Sequence, residues 1–351
     1  MNLEGKLALC NLGGNRVLQD YGEPYIVAEL NSSHRGDVAL ARNMIESAKK
    51  AGCSCVKFQS WSTESLYSKT YYRENPIAHR FIDKFALEED QLKELANYCK
   101  ECDIDFTSTP YSKKEVDFLV EKCDVPYIKI ASMELNNYQF LDYIARKEVA
   151  IVLSTGMGTM DEIQKAVQTI VSAGNEDICL LHCVSMYPPK ISTIRLNNIQ
   201  GLRNEFSDFP IGFSDHSNGT EMCIAAVALG AAMIEKHFTL DKSIIGMDNQ
   251  MATEPEEMAA LVQNCHNVYN ALGETERIVT IDEHEQRKKM RRSIVATKDL
   301  KSGMVLQEED LDTKRPGTGI PPEEIKRLLG KKLKNDVEAD TLIFHEDILD
   351  I

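Results

Sequence analysis

No stretch of this chain approaches the roughly 18 consecutive apolar residues that a membrane-spanning helix needs, so a membrane protein of the helical kind is not expected. The opening residues, MNLEGKLALCNLGG, lack a basic region followed by an apolar core, so no secretory signal is read there. Positive charge is scarce: 40 lysines and arginines stand against 55 acidic residues, a net charge of −15. A nucleic-acid surface, which requires a basic patch, is therefore not expected. An anionic small substrate stays open, because a few lysines in a cleft dominate their own surroundings. No glycine-rich phosphate turn follows the first apolar run, YIVAE at 25–29, which counts against a doubly wound dinucleotide sheet. Cysteine is not scarce, with ten residues, but paired metal-finger spacing is missing. Only Cys99 and Cys102 come close, on a helical pattern without a second pair. The ten read as reduced thiols in a cytoplasmic protein, most of them small buried hydrophobes.

What is present is a rhythm. Short β-rich runs lie at 25–29, 55–59, 104–108, 127–131, 150–154, 178–182, 211–214 and 232–236. Between them run amphipathic segments, among them Val38–Ala51, Glu88–Glu101, Lys113–Lys122, Met160–Ala173 and Glu221–Gly230. Eight strand–helix units in about 250 residues predict a (β/α)8 TIM barrel of class α/β, and continuous apolar runs suit strands covered on both faces. In a barrel, chemistry gathers at the carboxyl ends of the strands. Those ends carry Glu29, Lys57 and Gln59, Ser108–Pro110, Lys129 with Ser132, Ser154, Ser185 with Tyr187, Ser214 with His216, and Glu235 with His237. Two successive runs, IGFSDHS and IEKHFTL, each deliver one histidine to the rim. That pattern points to one metal held by two imidazoles with positions left open for substrate.

After Gly273 the pattern changes. A charged segment, ETERIVTIDEHEQRKKMRR at 274–292, reads as linker and exposed helix, and Ser293–Ile351 reads as a small β-rich module with a basic, glycine-containing loop, KRPGTG at 314–319. The expected domains are 1–275 for the barrel, 276–292 for the linker and 293–351 for the module.

Ten segments in order carry a resemblance: AELNSSHRGD (28–37), AGCSCVKFQSW (51–61), TSTPYS (107–112), YIKIASMELNN (127–137), LSTGMGT (153–159), LLHCVSMYPPK (180–190), IGFSDHSNG (211–219), IEKHFTLD (234–241), RRSIVATKDLKSG (291–303) and KRPGTGI (314–320). Over nearly its whole length the chain resembles the sialic acid (nonulosonate) synthases, in which a catalytic barrel is followed by an antifreeze-like (SAF) domain. The resemblance implies a transferase that condenses phosphoenolpyruvate with the open aldehyde form of an N-acetylated amino-hexose and water. Phosphate leaves, and a nine-carbon 2-keto-3-deoxy acid forms. It implies a phosphoenolpyruvate cradle of Lys57, Thr109, Lys129, Ser132, Ser154 and Ser214, and metal ligands His216 and His237 for Mn2+ or Mg2+. Glu29 is implied to orient or deprotonate the attacking water, or to hold the cationic centre. Gln59, Glu134, Tyr187, Asp248 and Arg315 are implied at the sugar, with Arg315 reaching the other barrel of a domain-swapped homodimer.

Departures from the family pattern cluster on the sugar side: Ser33 before the histidine, Ser185 at a frequent asparagine position, and Met247 in place of a proline. The sugar thus stays open between N-acetylmannosamine and a 2,4-diacetamido-2,4,6-trideoxyhexose, with a 6-phosphorylated sugar ranked last. The segment Trp61–Pro76 is read as a long aromatic loop over the mouth. His182 reads as a hydrogen-bonded core group, and His34 as loop structure or substrate contact. Asp215 and Glu235 read as partners that orient the histidines or as salt-bridge partners, and Lys236 as a strand cap. Two other readings remain: a Schiff-base aldolase using Lys57 or Lys129, and a non-catalytic carbohydrate binder.

Overall fold

Eight parallel strands make the frame: β1 (Tyr25–Glu29), β2 (Cys55–Ser60), β3 (Asp105–Pro110), β4 (Tyr127–Ile130), β5 (Ala150–Ser154), β6 (Ile178–Cys183), β7 (Ile211–Asp215) and β8 (Met233–His237). In this computed structural model, which describes residues 8–14, 16–244 and 246–349, they lie in the order β3-β2-β1-β8-β7-β6-β5-β4. Neighbours along that order are joined by parallel ladders. Between β3 and β4 the Thr107 hydroxyl bridges the seam, donating to the Tyr127 carbonyl at 2.7 Å. The expected TIM-like barrel is thus the fold, with every expected strand present to within two residues. Of the stretch 1–14 on which the reading of the N-terminus rests, residues 1–7 lie outside the described residues.

Strand side chains alternate in direction, and this period of two divides the core. Ile26, Ala28, Val56, Ile128, Ile151, Leu153, Ile178, Leu180 and Ile234 pack under the helices. Val27, Cys55, Tyr127, Val152, Cys179, Leu181 and Met233 fill the barrel interior. A short antiparallel pair that the sequence reading did not anticipate, Leu9–Asn11 with Val17–Gln19, adds Cys10, Leu12 and Leu18 to the same interior cluster. It closes the barrel at the end opposite the strand carboxyl termini. The interior position on β7 is Gly212, where a Cβ would stand 2.5 Å from Leu181 Cδ2 and 2.7 Å from the Met233 carbonyl oxygen. Gly212→Ala is expected to cost about 1–3 kcal/mol, the usual penalty for overpacking a filled core. A urea midpoint equal to that of the unsubstituted protein would contradict this packing.

The helices follow their sequence signals. In α1 (Val38–Lys50), the Asp37 carboxylate caps the first turn by accepting from the amides of Ala39 and Leu40 at 2.8 and 3.1 Å. Ala41, Met44, Ile45 and Ala48, spaced at three and four residues, are its buried face. Within the expected aromatic loop Trp61–Pro76, residues 61–68 are turn and coil as expected, but 69–74 are helical and Pro76 opens a further helix. α2 (Lys69–Glu74) is capped by Ser68, and α3 (Pro76–Phe85) starts on a proline at its first turn. α4 (Glu89–Glu101) agrees with its expected span to one residue. The expected helix at 113–122 is α-helical over Lys113–Phe118 and then widens into a π-helical turn over Leu119–Cys123.

The chain divides into two compact units, Met1–Gly273 and Glu274–Ile351. In the second unit a helix, Ile281–Met290, has no buried side chain. It precedes a small β module with strand pairs Ser293–Ala296/Leu311–Lys314 and Lys332–Leu333/Ile348–Leu349. The module has its own core, including Ile294, Leu300, Leu306, Ile320, Leu333 and Ile343.

Candidate active site

The alternation that builds the interior core also builds the site. One step further along each strand, the inward positions change from apolar to polar. Val27 is followed by Glu29, Cys55 by Lys57 and Gln59, and Tyr127 by Lys129. Val152 is followed by Ser154, and Met233 by Glu235 and His237. Ser214 and His216 continue β7, and Thr109 continues β3. All of them line one cavity of about 430 Å3 at the strand carboxyl ends.

At its floor four buried charges interlock. The Lys57 ammonium forms an ion pair with Glu29 and lies 3.4 Å from Glu235 Oε2, and Lys129 lies 3.8 Å from Glu235 Oε1. Lys129 donates to Ser154 Oγ at 2.7 Å, Ser214 Oγ donates to Glu235 Oε1 at 2.9 Å, and Lys57 reaches Thr109 Oγ1 at 3.4 Å. Burial works against the Lys57 ammonium, but the adjacent Glu235 and Glu29 carboxylates raise its pKa above the ordinary lysine value. Lys129 comes out below it, since burial outweighs the pull of Glu235. Burial alone would raise Glu235, yet Lys129 and Lys57 hold it well below the usual carboxylate range. An anion placed on Lys57 and Lys129 would meet both in a desolvated setting, where pairing is far stronger than in water.

Glu29 is fixed on its other oxygen, which accepts from the Asn31 amide at 2.8 Å and from Gln59 Nε2 at 3.2 Å. Gln59 is in turn held by Trp61 Nε1 at 3.1 Å and by the Tyr111 hydroxyl at 2.9 Å. Ser132 Oγ accepts from the Gly156 amide at 3.0 Å.

Above this layer the His216 and His237 rings lie edge to face with centroids 5.2 Å apart, and the Tyr187 ring centroid lies 4.2 Å from that of His216. His216 Nδ1 lies 2.8 Å from the Val184 carbonyl. Only a protonated nitrogen can satisfy that contact, so in the neutral ring Nε2 is the nitrogen that carries the lone pair. His237 Nδ1 lies 2.8 Å from Asp248 Oδ2, an ion-pair distance without hydrogen-bond alignment, and the same carboxylate is held by Asn31. Two imidazoles flanked by a carboxylate, at a water-accessible cavity, fit a divalent cation whose other positions go to water and substrate. Among the described residues, no group of three or more His, Cys, Asp or Glu side chains is arranged to hold a metal.

Thirteen of the fourteen expected site residues lie in the first unit, and twelve of those line the cavity. Glu134 is not among the lining residues; its carboxylate accepts from Asn137 Nδ2 at 2.7 Å. Arg315 belongs to the second unit. Asp248 lines the cavity but also backs His237. Glu235, left open between two supporting roles, stands in the lysine layer itself. Its signal was available, since it shares the parity of His237. Asp215 and Lys236 have the opposite parity and pair behind the barrel wall at 2.7 Å. His182 also faces away, bonded to the Ile194 carbonyl at 2.6 Å. His34 Nδ1 accepts from the Gly36 amide at 3.1 Å, which is loop structure. Asn31, Tyr111, Cys183 and Met157 line the cavity without having been singled out as site residues.

A NeuB family profile matches residues 44–277, and a SAF domain profile matches residues 291–349. The chain is 36% identical over 329 residues to an N,N'-diacetyllegionaminic acid synthase of Campylobacter jejuni, covering 91% of this chain and 98% of that one. It is 35% identical to an N-acetylneuraminate-9-phosphate synthase of Homo sapiens, covering 92% of each. Among solved structures it resembles an N-acetylneuraminic acid synthetase of Leptospira borgpetersenii crystallised with citrate. The TM-score is 0.74 at 31% identity, over 81% of this chain and 96% of that one. With the barrel, the polar layer and the C-terminal module all accounted for, the chain belongs to the NeuB family and ends in a SAF domain.

Proposed function

We propose that this protein is a phosphoenolpyruvate-dependent nonulosonic acid synthase, with residues 1–275 as the catalytic barrel, 276–292 as the linker and 293–351 as the SAF domain. The observation that carries this reading is the inner polar layer. Two buried ammonium groups, Lys57 and Lys129, sit among the hydroxyls of Thr109, Ser154 and Ser214, directly beneath a pair of imidazoles. Phosphoenolpyruvate brings a phosphate and a carboxylate. The ammonium groups supply the charge, and the Thr109, Ser132, Ser154 and Ser214 hydroxyls act as donors once the anion displaces their present partners.

His216 and His237 would hold a divalent cation, Mn2+ or Mg2+, and when bound it supplies Lewis-acid polarisation of an aldehyde oxygen. The enol carbon of phosphoenolpyruvate attacks the aldehyde carbon; the C–C bond forms as the C=O π pair moves onto the aldehyde oxygen, which becomes a hydroxyl with a proton released by the added water, and positive charge is left at the carbon bearing the phosphate oxygen. Glu29 is held by Asn31 and Gln59 with its carboxylate in the cavity. It stabilises that charge and takes the proton from the water that adds there. Phosphate then leaves with cleavage of the bond between carbon and oxygen. Gln59, Tyr187 and Asp248 border the space left for the sugar, and Arg315 is assigned to the sugar site of a second copy in a domain-swapped homodimer. The ten cysteines, all free, accord with a cytoplasmic location. Among the described residues no helix is long and apolar enough to cross a membrane.

Among the described residues, the cationic groups that the barrel itself supplies to the cavity, apart from its two histidines, are Lys57 and Lys129, and phosphoenolpyruvate uses both; Arg315 of a second copy is assigned to the sugar. Met133, Met157 and Met247 line the outer part. That setting favours an unphosphorylated sugar, N-acetylmannosamine or a 2,4-diacetamido-2,4,6-trideoxyhexose. The test is incubation with phosphoenolpyruvate, Mn2+ and a panel of these sugars and their phosphates, with products identified by mass. Phosphate release matched by a nine-carbon keto acid from an unphosphorylated sugar is expected.

One observation favours a second reading. The lowered pKa of Lys129 is also what a Schiff-base aldolase needs. Borohydride trapping of a covalent adduct on Lys129, without phosphate release, would replace the synthase reading.

A further inference from the structure

The helices α2 and α3, inserted after β2, carry a second cavity of about 460 Å3 lined by Lys69, Tyr72, Arg73, Pro76, His79 and Arg80. In a chain of net charge −15, three permanent cations and a histidine converge here. Among the described residues none of the four side chains makes an ion pair or a hydrogen bond. The acidic residues of these helices, Glu74 and Asp83, neither line the cavity nor pair with the four. Like charges held together without counter-charge repel one another, and an anion relieves that cost. The rest of the lining is the Tyr72 ring, edge-on to His79 at 4.6 Å, and Pro76. The buried Tyr72 hydroxyl has no hydrogen-bond partner. A bare inorganic anion would leave the Pro76 ring and the exposed edge of Tyr72, otherwise buried at 8% exposure, unused, and an apolar ligand would leave the cations uncompensated. The volume lies in the range of small-molecule sites, about 300–1,000 Å3.

We propose that this cavity binds an organic phosphate of the nucleotide class, its phosphate on Arg73, Arg80 and Lys69 and its base or sugar against Pro76 and the exposed edge of Tyr72. The site is not isolated from the active site. Tyr67 lines the catalytic cavity, stacks on Tyr71 at 4.3 Å and meets Tyr72 edge-on at 5.9 Å. Occupancy is thereby felt at the catalytic mouth. Trp61, the single tryptophan of the chain, belongs to the same apolar cluster as Tyr72 and Phe85 and reports on it.

The experiment titrates each of the four nucleoside 5'-monophosphates, and separately inorganic phosphate, while Trp61 fluorescence is read. It is run on the full chain, on Arg73→Ala/Arg80→Ala, and on Lys129→Met. A saturable response to at least one nucleotide is expected. It should be weakened at least tenfold in the double variant and by added salt, and retained in Lys129→Met. Turnover without nucleotide should be unchanged in the double variant. The proposal is overturned by any of four results: no saturable response; equal binding by the double variant; loss of the response in Lys129→Met, which would put the nucleotide in the catalytic cavity; or inorganic phosphate binding as well as the nucleotides. A change of sedimenting mass in the double variant, with no nucleotide bound, would likewise overturn it and make the patch a contact between copies.

Discussion

Lys57→Met is expected to destabilise the protein by about 3–5 kcal/mol, the range found when one partner of a buried ion pair is removed. It should also lower kcat/KM for phosphoenolpyruvate by about a hundredfold to a thousandfold, as for loss of one preorganised charge-stabilising donor. Both effects have one cause. The substitution leaves Glu29 and Glu235, both buried, facing each other's charge with only Lys129 to answer it, and the incoming anion loses one of two ammonium groups. The two effects separate in the double variant Lys57→Met/Glu29→Gln, since Glu29 has no other ion-pair partner among the described residues while Glu235 keeps Lys129. Removing the orphaned carboxylate should restore much of the denaturation midpoint and none of the activity. Equal rescue of both would mean that Lys57 serves the fold alone, and an undisturbed midpoint in Lys57→Met would mean that the four charges are not coupled.

His237→Ala should lower metal affinity by at least a hundredfold, read as bound Mn2+ by electron paramagnetic resonance, and should abolish phosphate release, while phosphoenolpyruvate binding by calorimetry falls far less. His237 stands one inward step beyond Glu235 on β8, so its ring belongs to the rim and not to the lysine floor. Asp248→Asn should give a milder version of the same loss, about tenfold to a hundredfold, as expected for a group that orients a ligand. If His237→Ala turned over and bound Mn2+ like the unsubstituted protein, the metal assignment would fail.

Most of this architecture could be read from the chain because a barrel repeats one simple rule. Continuous apolar runs mark strands covered on both faces, and counting by two along each run gives the inward residues. That count separates Glu235 from Lys236 and Ser214 from Asp215, which composition and motif alone leave ambiguous. Where the sequence reading fell short, the signals were local and short. The Leu9–Asn11 and Val17–Gln19 strands have three residues each, too few to show a period. The segment Trp61–Pro76 lacks a long apolar stripe, so its aromatics suggested a loop throughout, although Ser68 as a cap and Pro76 in the first turn of α3 are helix-start signals. The π-helical turn at Leu119–Cys123 has no sequence signature at all. The link between Asp248 and His237 joins β8 to the segment that follows it, a contact no spacing rule foretells.

The account stands or falls on where phosphoenolpyruvate sits. A crystal structure of the protein with phosphoenolpyruvate and Mn2+ tests this directly. The account predicts the ligand's anionic groups on Lys57 Nζ and Lys129 Nζ, with the manganese anomalous signal at His216 and His237. Phosphoenolpyruvate bound away from both lysines, or manganese bound away from both imidazoles, would contradict it.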